Sequence, residues 1–253
     1  MSLLQSNVEQ FLEILRSERR DLLDRLRKTR FSTLKEGYSQ AQIVPYSSYS
    51  PWIDDLAFSD LHGRILDRTM VDIYRCFELY TLAKQMRLAR GDFVEVGVWR
   101  GGTAALIASA APCKTIHLFD TFSGVAKADA AFDTLYSGGE HADADVASVE
   151  RLFEEMGLRC NIRSGVFPEE TLEYLPAEVC LAHIDVDTYA SAKGSFLALW
   201  PVVQPNGIVV FDDYGFFGCE GVAQAVNEIA SSVDNALFVY NINGHGLLIK
   251  TMN

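Results

Sequence analysis

Residues 92–103 read DFVEVGVWRGGT, a short apolar run that enters a glycine-bearing turn and passes straight into a helix. Phe93, Val94 and Val96 make the run a strand of the kind buried on both faces. Gly97 permits a tight turn and close backbone approach, Gly101 follows four residues later, and TAALIASAA (103–111) continues as a helix. Downstream the rhythm repeats. TIHLFD (115–120) is a strand, VASVERLFEEMG (146–157) a helix, RCNIRSG (159–165) a strand and EVCLAHIDVD (178–187) another. A helix runs on to Leu199, GIVVFDDYG (207–215) is a strand, GVAQAVNEIA (221–230) is the last helix, and ALFVYNI and GLLIKT pair as a terminal hairpin. This alternation predicts an α/β fold whose sheet is mostly parallel, ends in an antiparallel strand and is covered on both faces.

Upstream, residues 8–30 have helical periodicity. Val8, Phe11, Leu12, Leu15, Leu22 and Leu26 fall near one face, which suits packing on the domain or contact with a second copy in a homodimer. Residues 31–63 are rich in Pro, Gly, Ser and Tyr and read as an irregular cover. Residues 68–90 are helical again and stop at Gly91. The expected organisation is one domain, with 1–67 as a helical and irregular N-terminal extension of it and 68–253 as the α/β body.

The chain has 253 residues, 22 basic against 34 acidic, for a net charge of −12. That charge argues against a general nucleic-acid binder. No apolar run approaches a bilayer span, and the N-terminus lacks the basic region of a secretory signal. Five cysteines, Cys76, Cys113, Cys160, Cys180 and Cys219, are widely spaced without a CxxC pair, the pattern of reduced thiols in the cytoplasm.

In an open α/β sheet, ligands bind beyond the carboxyl ends of the strands, and acids stand at those ends here: Glu95, Asp120, Asp185, Asp187, Asp212 and Asp213. The first turn is not the dinucleotide fingerprint. An acid before the glycine, with a helix N-terminus and Thr103 after it, suits a ligand with both a cationic group and a carboxylate. S-adenosylmethionine has both, and a ribose that Asp120 is placed to hold. Asp185 and the pair Asp212–Asp213 end adjacent strands, where crowded carboxylates repel. A divalent ion relieves that repulsion, and oxygen-only ligands favour Mg²⁺, Mn²⁺ or Ca²⁺ over zinc. Asp187 reads more readily as the cap of the next helix.

Taken together, TMV (69–71), VEVGVWRGGTA (94–104), LFDTFSGV (118–125), GVFPEET (165–171), HIDVDTYAS (183–191) and FDDYG (211–215) resemble the macrocin/mycinamicin-type O-methyltransferases. The resemblance runs from residue 68 to the C-terminus. It implies a class I methyltransferase sheet and methylation of a hydroxyl on a small molecule, a sugar moiety of a glycosylated natural product. It implies donor contacts at Thr69, Met70, Glu95, Gly97, Trp99, Gly101, Thr103, Asp120, Ser123, Gly165, Val166, Phe167 and Asp185, and a metal held by Asp185, Asp212 and Asp213. Asp185 is the expected proton acceptor, with His141 a second candidate. Tyr189 and Tyr214 either line the acceptor pocket or pack on the sheet. The acidic insert over 125–147, like 31–63, is expected to be a mobile cover. A catechol-type reading meets Thr188 where that group carries a lysine base. A nucleotide-dependent oxidoreductase lacks its glycine pattern, and a non-catalytic donor-binding subunit would not need the acids.

Overall fold

The structure, a computed structural model, describes residues 3–28, 30–32, 39–41, 43, 45 and 47–252. The chain forms two compact units, 1–49 and 50–253. In the first, helix α1 (Leu3–Lys28) is followed by short antiparallel strands β1 (Arg30–Ser32) and β2 (Ser39–Ala41). Phe11, Leu12, Ile14, Leu15, Leu22 and Leu26 of α1 are exposed. The cover expected over 31–63 lies partly outside the described residues, at 33–38, 42, 44 and 46. Among the described residues, no helix is long and apolar enough to cross a membrane.

The second unit opens with two helices. In α2 (Leu56–Ile65), the Asp55 side chain caps the N-terminus by accepting from the Phe58 amide at 3.0 Å. This helix falls inside the stretch read as irregular, because ten residues with one buried stripe (Phe58, Leu61, Ile65) give little periodic signal. Helix α3 (Ile73–Met86) starts at Asp72, which accepts from the Tyr74 and Arg75 amides.

The sheet follows: β3 (Asp92–Val96), α4 (Gly102–Ala110), β4 (Ile116–Asp120), α5 (Val146–Glu155), β5 (Cys160–Ser164), β6 (Val179–Ile184), α6 (Tyr189–Leu199), β7 (Val203–Phe211), α7 (Glu220–Ser232), β8 (Ala236–Asn241) and β9 (His245–Lys250). The strand order is β5-β4-β3-β6-β7-β9-β8, with parallel pairs up to β7 and antiparallel pairing of β9 with β7 and β8. The predicted architecture and the terminal hairpin are both present. The chain steps outward from β3 through β4 to β5, then crosses back to β6 on the other side of β3, and that reversal opens the cleft.

Strand alternation assigns the two faces. Phe93, Leu118, Leu181 and Val210 pack with α2, α3, α4 and α5, while Val94, Phe119, Ala182 and Phe211 pack with α6 and α7. The same parity sends Glu95 and His183, which are register partners on β3 and β6, into the face toward α3.

Gly97 (φ +85°) is fixed by a close approach, since a Cβ there would lie 1.6 Å from the Asp185 carbonyl oxygen. Gly102 lets residues 68–70 cross the start of α4: its amide donates to the Arg68 carbonyl at 3.1 Å, and a Cβ would come within 2.6 Å of that oxygen. Gly97→Ala is therefore expected to cost about 2 kcal/mol or more, from a left-handed non-glycine residue plus the collision. At roughly 2–4 °C per kcal/mol for a domain of this size, calorimetry should show the melting temperature falling by several degrees. An unchanged melt would refute the close approach.

Candidate active site

One carboxylate organises one end of the cleft. Asp120 Oδ2 accepts from the amides of Val98 (2.6 Å) and Trp99 (2.8 Å), and Oδ1 accepts from the Phe122 amide (2.6 Å). It thus rivets the turn after β3 to the turn after β4, where Trp99 (φ +46°) and Phe122 (φ +50°) hold left-handed conformations unusual for aromatic residues. Oδ2 is thereby saturated, and Oδ1 keeps one lone pair for a ligand hydroxyl. The Trp99 indole donates to Asp143 Oδ1 (2.6 Å), Arg100 Nη2 donates to Asp143 Oδ2 (2.5 Å), and the Arg100 guanidinium lies 4.4 Å over the Trp99 ring.

The insert between β4 and α5 is held at further points. Thr188 and Ser191 donate to the Ala126 carbonyl, Asp133 accepts from the Tyr189 and Asp129 amides, and Thr134 donates to Glu220. Val125, Ala126, Tyr136 and His141 bring it to the cleft wall.

At the other end of the cleft, donor atoms of Asp185, Asp187 and Asp213 lie within 4.8 Å of one another. Asp187 (φ +64°) and Asp213 (φ +58°) are both left-handed, which turns their carboxylates inward, and such conformations gather at functional sites. Burial first, and then the neighbouring Asp charges, push the Asp185 and Asp213 carboxyls well above the usual range. Burial also raises Asp187. Burial likewise raises the Tyr136 phenol, which contacts Asp187.

Asp212 behaves differently. Burial opposes its ionisation, yet His245 and Arg75 hold its carboxyl well below the usual range. Arg75 Nη1 donates to Asp212 Oδ1 at 2.5 Å, stands 3.6 Å from Asp213 Oδ1, and shares its Nε with Asp72 at 2.9 Å. Asp212 thus lines the cleft with its Oδ1 taken by Arg75, while Asp187, read from the sequence as a helix cap, joins Asp185 and Asp213. Asp187 does not cap α6: the cap position of that helix is Thr188, whose hydroxyl turns to Ala126.

Residues 64–244 match the macrocin O-methyltransferase family, TylF. The chain belongs to that family. It is 29% identical over 164 residues to an 8-demethyl-8-(2,3-dimethoxy-alpha-L-rhamnosyl)-tetracenomycin-C 4'-O-methyltransferase of Streptomyces olivaceus, covering 55% of this chain and 62% of that one. It is 29% identical over 155 residues to a mycinamicin III 3''-O-methyltransferase of Micromonospora griseorubida, covering 54% and 59%. The match thus spans about six-tenths of these relatives' length. The O-methyltransferase NovP superposes with a TM-score of 0.62 at 22% identity, covering 73% of this chain and 83% of NovP, so the fold of this macrocin-family protein is that of a known methyltransferase structure.

Most of the residues singled out from the sequence meet at one cleft: Thr69, Met70, Gly97, Trp99, Thr103, Asp120, Gly165, Val166, Phe167, Asp185, Asp212 and Asp213. Three lie off its wall. Glu95 is fully buried beneath the cleft, with His183 Nδ1 at 2.7 Å from its Oε1. Gly101 packs on Val149 of α5. The Ser123 amide donates to Thr121. Tyr189 bonds Glu228 and Tyr214 bonds Asn227, both away from the cleft. Sequence reasoning missed Arg75, Tyr136 and the inward role of Asp187. For Arg75 a signal existed in its three-residue spacing from Asp72 on a helix.

Carboxyls raised by burial destabilise the fold once ionised. Their contribution is complete below the unfolded value near pH 4 and is lost as pH rises through the folded value. At pH 8 without divalent ions, Asp213→Asn should therefore melt about 2–4 °C above the parent, the effect of ~1 kcal/mol of relieved repulsion. The difference should vanish near pH 4. A variant that melts lower at pH 8 would contradict the repulsion.

Proposed function

We propose that this protein is an S-adenosylmethionine-dependent O-methyltransferase that methylates a sugar hydroxyl of a glycosylated natural product with the help of a divalent cation. The observation that carries the reading is the continuity of one cleft from the Asp120 clamp to the inward-facing Asp185, Asp187 and Asp213. The printed names of the two curated relatives, a rhamnosyl-tetracenomycin and a mycinamicin methyltransferase, support a glycosylated acceptor.

The donor end fits adenosylmethionine. The N-terminus of α4, with buried Thr103 at its first turn, presents amides to a carboxylate. Asp120 Oδ1 keeps a lone pair for a ribose hydroxyl, and Phe167, packed on Phe119 at 4.8 Å, offers an apolar wall to the adenine. The acid end fits a hard divalent cation: three carboxylates in reach of one another, two of them held in left-handed conformations, form an oxygen-only set that costs energy to ionise alone. Asp185, Asp187 and Asp213 would hold the ion, with Asp212 behind them. When bound, such an ion lowers the pKa of a coordinated hydroxyl.

The chain's own residues do the rest. With adenosylmethionine bound, the clamped turns would present the sulfonium methyl toward the acids, where an acceptor hydroxyl could attack it in line. The carbon–sulfur bond breaks as the carbon–oxygen bond forms, adenosylhomocysteine leaves, and the hydroxyl proton passes to Asp185. Fixing donor and acceptor together can supply ~7–11 kcal/mol of the barrier. The insert shields the reacting atoms from water. A catechol-type mechanism finds no lysine at Thr188, whose side chain is buried against Ala126 and Ser191.

The test is mass-shift screening with adenosylmethionine, Mg²⁺ and paired glycosides and aglycones. Methylation of the glycosides alone, abolished by chelator and lowered about 10²-fold or more by Asp185→Asn, is the expected result. Methylation of the aglycones at equal rate would overturn the sugar assignment, and full turnover in excess chelator would overturn the cation.

A further inference from the structure

Beneath the cleft, on the face of the sheet toward α3, lies a second group of polar side chains that the proposed reaction does not use. His183 of β6 and His245 of β9 are fully buried. Each has its Nδ1 held by a glutamate at 2.7 Å, His183 by Glu95 and His245 by Glu78. Glu78 also accepts from Asn241 and Asn243, so its carboxylate is fixed. With both Nδ1 atoms engaged, the two Nε2 atoms face inward, and neither makes a hydrogen bond. His245 Nε2 is 3.1 Å from Asp212 Oδ1, but the ring's N–H direction misses that oxygen.

One donor atom from each of His183, His245 and Asp212 lies within 4.8 Å of the others. Three donors bound at about 2.1 Å in tetrahedral geometry stand about 3.4 Å apart, so side-chain movements of up to about 1.4 Å close the set. We propose that His183, His245 and Asp212 form a buried site for a divalent transition-metal ion of the Zn²⁺, Fe²⁺ or Co²⁺ class, separate from the oxygen-lined acids at the mouth of the cleft.

Three features support the site. The donors are two imidazoles and one carboxylate, a set that selects borderline transition metals over Mg²⁺ or Ca²⁺. Each imidazole is backed by a carboxylate on its other nitrogen, the outer contact that orients metal-binding histidines and makes them more basic. The charges point the same way. Glu78, Glu95 and Asp212 bring three carboxylates to the pocket, and the one guanidinium beside them, Arg75, is shared with Asp72 and Asp213, so a buried cation meets opposing charge there. The competing occupant is a proton on His245 Nε2, which lies 3.1 Å from Asp212 Oδ1. The ion would tie β6, β7 and β9 together and fix Asp212 behind the reacting acids.

The proposal does not rest on methyl transfer, and its test is spectroscopic. Full-length protein is stripped with chelator, saturated with Mg²⁺ to fill the outer acids, and titrated with Co²⁺. The expected result is one Co²⁺ per chain, with visible d–d bands of nitrogen ligation that excess Mg²⁺ does not displace. The bands should disappear in His183→Gln and His245→Gln, persist in Asp187→Asn, and form with about 10–100-fold weaker affinity in Glu95→Gln. Circular dichroism separates loss of the site from loss of the fold. Should a histidine variant unfold, the parent spectrum decides. Co²⁺ that binds only with an oxygen-ligand spectrum, or that Mg²⁺ displaces, means that protons hold the network and overturns the proposal.

Discussion

Arg75 is the charge on which the cleft depends. Its guanidinium reaches from α3 to Asp72, Asp212 and Asp213 and lies 4.4 Å over the Phe216 ring. Strand ends that converge on a ligand gather acids at the same place, and a protein interior tolerates that gathering only with compensating charge. By fixing Asp212 in ionised form behind the others, Arg75 leaves the repulsion to fall on Asp185, Asp187 and Asp213, the groups that face the cleft.

Much of this was legible in the sequence. Apolar strands alternating with helices specified the sheet, and acids after successive strands specified where the site opens. Glycines at 97 and 165 marked the turns that reach it. What escaped was direction. Glu95 stands at a strand end, but its parity with Phe93 carries it to the α3 face, where it meets His183 off the cleft wall. Asp187 joins Asp185 and Asp213 because left-handed conformations at 187 and 213 bring those side chains together, and nothing in residue type announces such a conformation. Arg75 and Glu78 lie on a helix more than a hundred residues before the acids and histidines they hold, a pairing that only the folded chain brings together.

The polar row under the cleft has a second bearing on the fold. Glu95 and His183 interrupt strands that are otherwise apolar on both faces, at register partners in the middle of the sheet. Buried polar groups of this kind are expensive unless each is satisfied. Their presence at the level of the acids, with Glu78 and His245 continuing the row, puts the cost next to the chemistry, where strain and polarity are tolerated for what they position.

The insert between β4 and α5 bears on how this architecture changes over time. It reaches the rest of the domain through a few side-chain pins, chiefly Asp133 to Tyr189, Thr134 to Glu220, and Asp143 to Trp99 and Arg100. The backbone of the turns after β3 and β4 is held separately by Asp120. A segment attached in this way is a replaceable module. Provided the anchoring positions survive, its length and composition are free to drift or to be grafted from another chain, and the pocket wall it supplies can be rebuilt without disturbing the half of the cleft across from it.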